Sequence, residues 1–343
     1  MKNIISKYSI AALTALTLSL GLTACDTDTE PLGINEASIE AQNPELYQQY
    51  LANLRQYKQS AHKLVYVTFD NSNKVPTGRA NHITDLPDSV DVVSLNLPDG
   101  LADWERADIN KVREEKGTKV IYTIDFDAIK AAYNAKLELA TEEEPVSIDF
   151  EGFLVDSLEK AVSFVDKYGY DGLCIAYTGK SRRHMLPKEL KEYTANERIF
   201  INLMADWKSR HADKMMLFLG NPENLIDPAL TKDCRAIFLS GVDAKDTDRL
   251  SFILAQSIAE GVPAEKYGMI VNNFSLKDPN KSIGYLADGR LAVEGLAEWA
   301  PAPHSGITMS AVGVLNVQDD YFYPTDVYHH LRMLIQSVNP SVR

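Results

Sequence analysis

The sequence has 343 residues, 45% of them hydrophobic, and a formal net charge of −13 at pH 7. This length allows one large barrel or two medium-sized domains. The acidic balance argues against a nucleic-acid partner, because binding by counterion release needs a basic stripe, and it favours a neutral or weakly charged ligand.

The first 24 residues have the pattern of a lipoprotein signal peptide. Two lysines precede an apolar segment from Ile10 to Leu22, and Cys25 directly follows the small-residue cleavage site Thr23-Ala24. This resembles a bacterial lipobox, so we expect the mature chain to begin at a lipid-modified Cys25 that anchors it to a membrane. The alternative is an ordinary secretory signal followed by a coincidental cysteine. Loss of the two lysines would change the net charge from −13 to −15.

An acidic run, Asp26 to Glu30, follows the cysteine. It resembles the surface-export signal of Bacteroidetes lipoproteins, which implies a position on the outer face of the outer membrane. The alternative is a solvated acidic tether. With either reading, we expect residues 25–43 to form a flexible linker and residues 44–343 to form the folded domain.

The folded part begins with a helical stripe and continues with eight apolar runs. The stripe starts at Pro44 and predicts a helix that docks before the first strand. The runs are rich in β-forming residues and are separated by long stretches with helical period. They comprise residues 64–69, 91–96, 119–124, 172–177, 215–219, 236–240, 268–272 and 307–314.

The stretches between these runs support an alternation of strands and helices. One apolar stripe includes Leu154 and Leu158 and ends at Gly169, and another runs from Leu250 towards Gly261. Apolar strands that alternate with helices indicate a parallel sheet covered on its outer face. Eight such units predict a single-domain (β/α)8 TIM barrel in which a helix follows each strand. No glycine-rich phosphate turn follows the first run, which argues against a dinucleotide-binding fold.

In a barrel of this kind the site lies at the carboxyl ends of the strands. The residues predicted there, from Asp70 after the first run to Gln318 after the last, are rich in amides and hydroxyls. Such groups hydrogen-bond neutral hydroxylated ligands, although any one of them can equally be a loop cap or a turn residue.

The fourth run carries a family resemblance. Residues 171–179 read DGLCIAYTG, which resembles the fourth-strand signature of family 18 glycoside hydrolases, the chitinases and endo-β-N-acetylglucosaminidases, commonly written DGLDIDYEG. Cys174, Ala176 and Thr178 stand where that signature has its second Asp, its third Asp and its Glu. Residues 304–322 also resemble the eighth strand of these enzymes.

The resemblance implies how the family reaction works and what this chain lacks for it. In family 18 the acetamido oxygen of the sugar attacks the anomeric carbon while the Glu protonates the leaving oxygen. A threonine at position 178 does not titrate near neutral pH, and Ala176 cannot orient the acetamido group or stabilise positive charge. General acid catalysis supplies about 10²- to 10⁴-fold in rate, so we expect no catalytic residue and negligible turnover by this mechanism.

The alternative is an active hydrolase with relocated acids. Asp70, Asp125 and Asp127 are all predicted near the barrel mouth. A retaining pair needs carboxyl groups about 5 Å apart, a distance that the sequence does not give.

The resemblance also implies a sugar-binding groove at the mouth, where aromatic rings can cover the apolar faces of a sugar. Trp104, Tyr177 and residues 321–323 are candidate platforms, whereas Trp207 and Trp299 sit in helical patterns that favour packing. The predicted substrate-binding set is Asp70, Asn96, Trp104, Asp125, Tyr177, Thr178, Asn221, Ser240, Asn272 and Gln318.

Other kinds of site find little support. The pair His329-His330 has no partner at zinc-site spacing, so we expect no metal and no cofactor. No Gly-x-Ser-x-Gly elbow and no P-loop occur. Cys174 and Cys234 lie in or beside apolar runs, and we favour two inert buried thiols over a disulfide.

Three functions stay open. The leading hypothesis is a non-catalytic surface protein that captures N-acetylglucosamine-containing glycans, such as N-glycans, for uptake beside an outer-membrane transporter and neighbouring glycosidases. The second is an active endo-β-N-acetylglucosaminidase or chitinase-like enzyme with relocated acids. The third is a purely structural or protein-binding barrel. The segment Lys136 to Ile148 is either a mobile loop or a rim of the groove.

Overall fold

A computed structural model describes residues 39–141 and 147–340. The predicted signal peptide, Cys25 and the tether up to residue 38 lie outside the described residues, as do residues 142–146 of the 136–148 segment. The chain divides into two compact units, residues 1–49 and 50–343. The described part of the first unit holds α1 (Ile39–Gln42) and the start of α2 (Pro44–Gln59). Among the described residues, no helix is both long enough and apolar enough to cross a membrane.

The second unit contains a closed barrel of eight parallel strands. They follow chain order around the barrel, and β1 closes it by pairing with β8 as well as β2. The predicted (β/α)8 TIM barrel is confirmed. The strands are β1 (Leu64–Phe69), β2 (Val92–Leu95), β3 (Lys119–Asp125), β4 (Gly172–Tyr177), β5 (Met215–Gly220), β6 (Ile237–Ser240), β7 (Tyr267–Asn272) and β8 (Ala311–Leu315).

Side chains alternate between the barrel interior and the layer beneath the helices, because the side-chain period of a strand is two residues. Tyr66, Cys174 and Phe238 belong to the interior cluster, while their neighbours Val67, Ile175 and Leu239 pack towards the helices. This alternation decides which strand-end side chains face the mouth of the barrel.

The outer layer is formed by helices whose apolar stripes face the barrel. Leu154 and Leu158 are fully buried, and α5 ends before Gly169 as predicted. The helices of the barrel unit after α2 are α3 (Asp103–Lys111), α4 (Phe126–Glu138), α5 (Phe150–Tyr168), α6 (Pro187–Arg210), α7 (Thr247–Ser257), α8 (Ala292–Trp299) and α9 (His329–Val338).

The prediction of a helix after every strand is wrong for β1 and β5. Within the described residues, only short 3₁₀ turns follow these strands, at Arg79–Asn81 and Ile83–Asp85 after β1 and at Pro222–Asn224 and Pro228–Asp233 after β5. Each 3₁₀ turn after β5 starts at a proline, a residue that also opens the α-helices α2 and α6, so the prolines by themselves do not explain why these segments stay 3₁₀. In the part of the chain that the structure describes, the outer layer has no α-helix between β1 and β2 or between β5 and β6.

Two predicted boundaries shift because backbone groups find local partners. The eighth run was predicted from residue 307, but His304 and Ile307 bond each other across a tight turn, at 2.8 and 2.9 Å, and β8 starts at Ala311. Helix α7 ends at Ser257, before the predicted Gly261: Ile258 adopts an extended backbone with ψ 114°, and the Tyr267 hydroxyl donates to the Ser257 carbonyl at 2.6 Å.

Packing predictions for the remaining elements hold. The second half of α2 docks at the amino-terminal end of the barrel, where Lys58 donates to the Val90 carbonyl at 2.6 Å. Trp207 and Trp299 are buried. Cys174 and Cys234 are free and buried, and burial raises the pKa of the Cys234 thiol to about 12.

Candidate functional site

The carboxyl ends of the strands bring seven of the predicted residues to one end of the barrel, which we call the mouth. Three of them are exposed and four are half-buried. Each lies an even number of positions from the residues of its own strand that face the barrel interior, so its side chain is on the interior side too. They are Asp70, Asn96, Asp125, Thr178, Asn221, Ser240 and Asn272.

A hydrogen-bonded amide network holds one side of the mouth together, where β8, β1 and β2 end. Gln318 Oε1 accepts the backbone N–H of Asp70 at 3.3 Å, and Asn96 Nδ2 donates to Asn316 Oδ1 at 3.1 Å. Asn316 adopts a left-handed backbone conformation, with φ 54°, and its own N–H donates to Thr68 Oγ1 at 2.7 Å. These amides are thus fixed in position before any ligand arrives.

The floor of the mouth is neutral. The hydroxyls of Ser94 and Thr123 lie 3.3 Å apart. Burial raises the pKa of the Tyr66 phenol, an effect that these two hydroxyls partly offset. Cys174 is fully buried, and burial raises the pKa of its thiol too. Ala176, only 7% exposed, completes the floor on β4.

Asp125 is the carboxylate whose position bears most directly on catalysis. Its Cα pairs with that of Ala176 on the neighbouring strand. Its Oδ1 caps the amino terminus of α4 by accepting the N–H groups of Asp127 at 2.8 Å and Ala128 at 3.2 Å. Burial raises the pKa of the Asp125 carboxyl, and these two hydrogen bonds partly counteract the rise.

Tyr177 does not lie at the mouth. As an odd-numbered residue of β4 it points away from the interior, and its ring is 1% exposed between Phe126 and Phe200. Its hydroxyl donates to Glu197 at 2.7 Å and lies 2.8 Å from the Tyr193 hydroxyl. The ring packs between β4 and the helices, and with only 1% of its surface exposed it contributes little to the recess of about 260 Å³ that it lines with Thr178 and Tyr193.

The other predicted aromatic platforms differ in their exposure. Trp104 is half-buried on α3, with its Nε1 donating to the Lys74 carbonyl at 3.1 Å and its ring edge against His82. After β8, Tyr323 stacks on His329 at 4.1 Å between ring centroids. Phe322, with 60% of its surface exposed, is the ring of residues 321–323 that is open to a ligand.

A recess of about 870 Å³ opens beside Ser240, and we call it the Ser240 recess. It lies between the loop after β4, the turn after β5 and one flank of α7. It is lined by Gly179, Lys180, Ser181, Arg182, Arg183, Asn221, Glu223, Asn224, Ser240, Arg249, Ile253, Gln256 and Ser257.

Sequence reasoning missed the charged residues of this recess. The run Gly179-Lys180-Ser181-Arg182-Arg183 begins two residues after the end of β4. A basic run near the end of a strand could have indicated a positively charged site there. Arg249 and Glu223 gave no such signal, because the recess brings them near that loop from α7 and from the turn after β5.

Comparison with protein families gives one match over most of the chain. The model for "Glycoside hydrolase family 18, BT1044-like" matches residues 27–337. No curated protein sequence matches the chain. Among solved structures, a selenomethionine form of BT1044 with a Glu-to-Gln substitution is 19% identical. It has a TM-score of 0.61, and the match covers 89% of this chain and 96% of that one.

Two structures of the endo-beta-N-acetylglucosaminidase from Cordyceps militaris are also similar. The apo form is 15% identical with a TM-score of 0.59, covering 85% of this chain and 96% of that one. A double mutant of that enzyme, in complex with fucosyl-N-acetylglucosamine-Asn, is 14% identical with a TM-score of 0.58, covering 84% and 95%. At these identities the likeness shows a shared fold.

Proposed function

The chain belongs to glycoside hydrolase family 18, BT1044-like, and on that premise we propose that it binds glycans without cleaving them. Its fold is related to that of endo-β-N-acetylglucosaminidases. The proposed ligand is a glycan containing N-acetylglucosamine, such as an N-glycan, bound at the mouth. The ligand in one Cordyceps militaris complex, fucosyl-N-acetylglucosamine-Asn, is of this class.

One observation carries the proposal. The strand that bears the acids in the family pattern here presents Cys174, Ala176 and Thr178, which leave a neutral floor beneath fixed amides. Without a carboxylic acid at position 178, the leaving oxygen has no proton donor there, and loss of general acid catalysis costs about 10²- to 10⁴-fold in rate. Hydroxyl and amide groups at the mouth can still hydrogen-bond the sugar.

A second candidate function, an active hydrolase with a relocated acid, is favoured by the position of Asp125. Its carboxyl lies on the strand next to Ala176 and its pKa is raised by burial, which suits a proton donor. Against this, one of its oxygens already accepts two backbone N–H groups as the α4 cap.

The experiment that decides between these functions measures binding and cleavage together. Purified protein is mixed with a high-mannose glycopeptide and with chitooligosaccharides, and both binding heat and release of reducing ends are followed. We expect binding without release. Release that Asp125→Asn abolishes, and that the matched control Asp127→Asn leaves intact, would establish the hydrolase. If neither binding nor cleavage is detected, the result favours a structural or protein-binding barrel.

Cellular location is part of the proposal. The lipobox-like Cys25 and the acidic run behind it support an outer-membrane lipoprotein exposed at the cell surface, working beside a glycan transporter and neighbouring glycosidases. Cys25→Ala should abolish labelling by a fatty-acid analogue and release the protein from the membrane fraction. Retention of the label in that variant would exclude Cys25 as the anchor.

A further inference from the structure

The Ser240 recess is positively charged in an otherwise acidic chain. Four cationic side chains and one carboxylate line it, so its formal charge is +3, whereas the whole chain carries −13. In the part of the chain that the structure describes, none of the four cations forms an ion pair. They are Lys180, Arg182, Arg183 and Arg249.

Arg182 lacks full hydrogen bonding. Its Nη2 donates to the Leu225 carbonyl at a long 3.5 Å. Its Nη1 is buried and has no partner among the residues described. Burying a donor without an acceptor is unfavourable, so an acceptor that entered the recess would relieve a cost that the free protein carries.

The loop that carries three of the cations is held in place. Asn224 Nδ2 donates to the Thr178 carbonyl at 3.0 Å, and the Lys180 N–H donates to the Tyr193 hydroxyl at 2.8 Å. Gly179 lies between them at φ 59°, where a Cβ would meet the Tyr177 ring at 2.7 Å. These contacts hold the backbone of the loop up to Lys180 in place before a ligand binds, which lowers the entropy cost of binding.

The single carboxylate of the recess, Glu223, offsets one of its four positive charges. Burial raises the pKa of the Glu223 carboxyl, and hydrogen bonds from its own backbone N–H and from the Ser257 hydroxyl offset part of the rise. One oxygen of Glu223 is buried and has no hydrogen-bond partner in the described structure. The positive charge of the recess is thus not neutralised from within.

We propose that the Ser240 recess binds the oxyanion of an acidic sugar, a carboxylate or a sulfate, on a glycan whose other part occupies the mouth. This inference rests on the proposed function and specifies its ligand as an acidic glycan. Guanidinium groups match the geometry of carboxylates and sulfates through paired N–H donors. Ser240 and Asn221 belong to both the recess and the mouth, so the two sites are continuous.

The size of the recess agrees with a sugar ligand. Its volume of about 870 Å³ lies within the range of roughly 300 to 1,000 Å³ that is common for ligand pockets. The proposal differs from the expectation, drawn from net charge, that the ligand is neutral, because charge summed over the chain does not describe the charge of one pocket.

The test compares four ligands by calorimetry on the full protein. They are a neutral N-glycan, the same glycan with terminal carboxylated sugars, that glycan with its carboxylates converted to amides, and a sulfated chitooligosaccharide. We expect the carboxylated form to bind at least about 10-fold more tightly than the neutral and amidated forms. The advantage should shrink between about 50 mM and 500 mM salt. The sulfated ligand shows whether the recess also accepts a sulfate.

Substitutions test whether the tighter binding of the carboxylated glycan depends on the cations of the Ser240 recess. Arg183→Gln and Arg249→Gln, both of exposed side chains, should each lower affinity for the carboxylated glycan by about 10-fold and leave the neutral glycan unchanged. Arg198→Gln, an exposed arginine of α6 outside the recess, is the matched control and should change neither. Thermal unfolding verifies that each variant is folded.

The outcomes separate this inference from the proposed function. If the neutral and carboxylated glycans bind equally well, the recess is not an oxyanion site and the proposed function stands. If only the charged glycan binds, in a manner that depends on Arg183, the inference stands and capture of neutral glycans is wrong. If neither glycan binds, both are wrong.

Discussion

Restoring the family acids tests the neutral floor directly. Ala176→Asp would place a carboxyl group on the strand next to Asp125, since the two Cα atoms are paired in register. Two carboxylates about 4.8 Å apart, the spacing of neighbouring strands, repel by about 3.5 kcal/mol at an effective dielectric constant of about 20. Ala176→Asn has nearly the same size without the charge, so it isolates that repulsion.

Urea unfolding of Ala176→Asp and Ala176→Asn at pH 7 and pH 4 measures the repulsion between the two carboxylates. The repulsion raises the folded-state pKa of the carboxyl pair, so its cost is present at neutral pH and disappears as the pH falls through that raised pKa. Ala176→Asp should therefore be less stable than Ala176→Asn by about 3 kcal/mol at pH 7, with a much smaller gap at pH 4. Equal stability of the two variants at pH 7 would refute the placement of both side chains in the mouth.

The same substitution, combined with Thr178→Glu, tests how the mouth holds a sugar. If the groove keeps the pose of the family, the double variant regains an orienting carboxylate and a proton donor. Glycopeptide cleavage should then rise by about 10²- to 10⁴-fold over the unsubstituted protein, and each single variant should gain less. Unchanged cleavage in a double variant that still binds the glycopeptide would show that the sugar lies elsewhere or in another orientation.

Three further outcomes follow from particular contacts. Asp125→Asn preserves a good helix cap. Because burial raises the pKa of Asp125 in the folded protein, the unsubstituted protein loses stability as the pH rises above 3.8, and the variant should lose less. Urea unfolding at several pH values measures this difference, with Asp127→Asn as the control. Tyr177→Phe removes the hydroxyl bound to the buried Glu197 and should cost about 1–3 kcal/mol of stability with no loss of glycan affinity. Weaker glycan binding in calorimetry would show that Tyr177 belongs to the binding site. Phe322→Ala removes an exposed ring and should weaken glycan binding by about two- to tenfold, or 0.5–1.5 kcal/mol, with unchanged thermal stability.

The barrel was predictable because its strands are short, buried and apolar. Strands β1 and β4 match the predicted runs residue for residue. One exception has a local cause that hydrophobicity does not report: Ile307 is buried like a strand residue, yet its backbone groups bond His304. The 3₁₀ turns after β5 begin at prolines, as the α-helices α2 and α6 also do, so this local signal does not separate a 3₁₀ turn from an α-helix.

The candidate site was predictable only in part. Parallel strands bring their carboxyl ends together, so their terminal polar residues meet at the mouth without further information. Tyr177 was misplaced because the alternation of β4, which puts Cys174 and Ala176 inside, puts Tyr177 outside. The Ser240 recess depends on Arg249 and Glu223 meeting a distant loop, and a local sequence pattern does not contain that contact.

The same alternation explains which parts of the fourth-strand pattern this chain keeps. Asp171 accepts the Val120 N–H at 2.9 Å and the Arg113 Nε at 3.1 Å, and a Cβ on Gly172 would collide with the Met215 carbonyl. Tyr177 is also kept, with its ring and hydroxyl buried among the helices.

The three positions that differ from the family pattern are 174, 176 and 178, on the face of β4 that lines the interior and the mouth. The strand therefore keeps the residues of the pattern whose contacts build the barrel and differs from it only on the face that lines the interior and the mouth. A carboxylate cluster confined in a barrel is costly because desolvation disfavours its charged form. Neutral side chains at positions 174, 176 and 178 avoid that cost on β4, and the amides of the mouth can still hydrogen-bond a ligand.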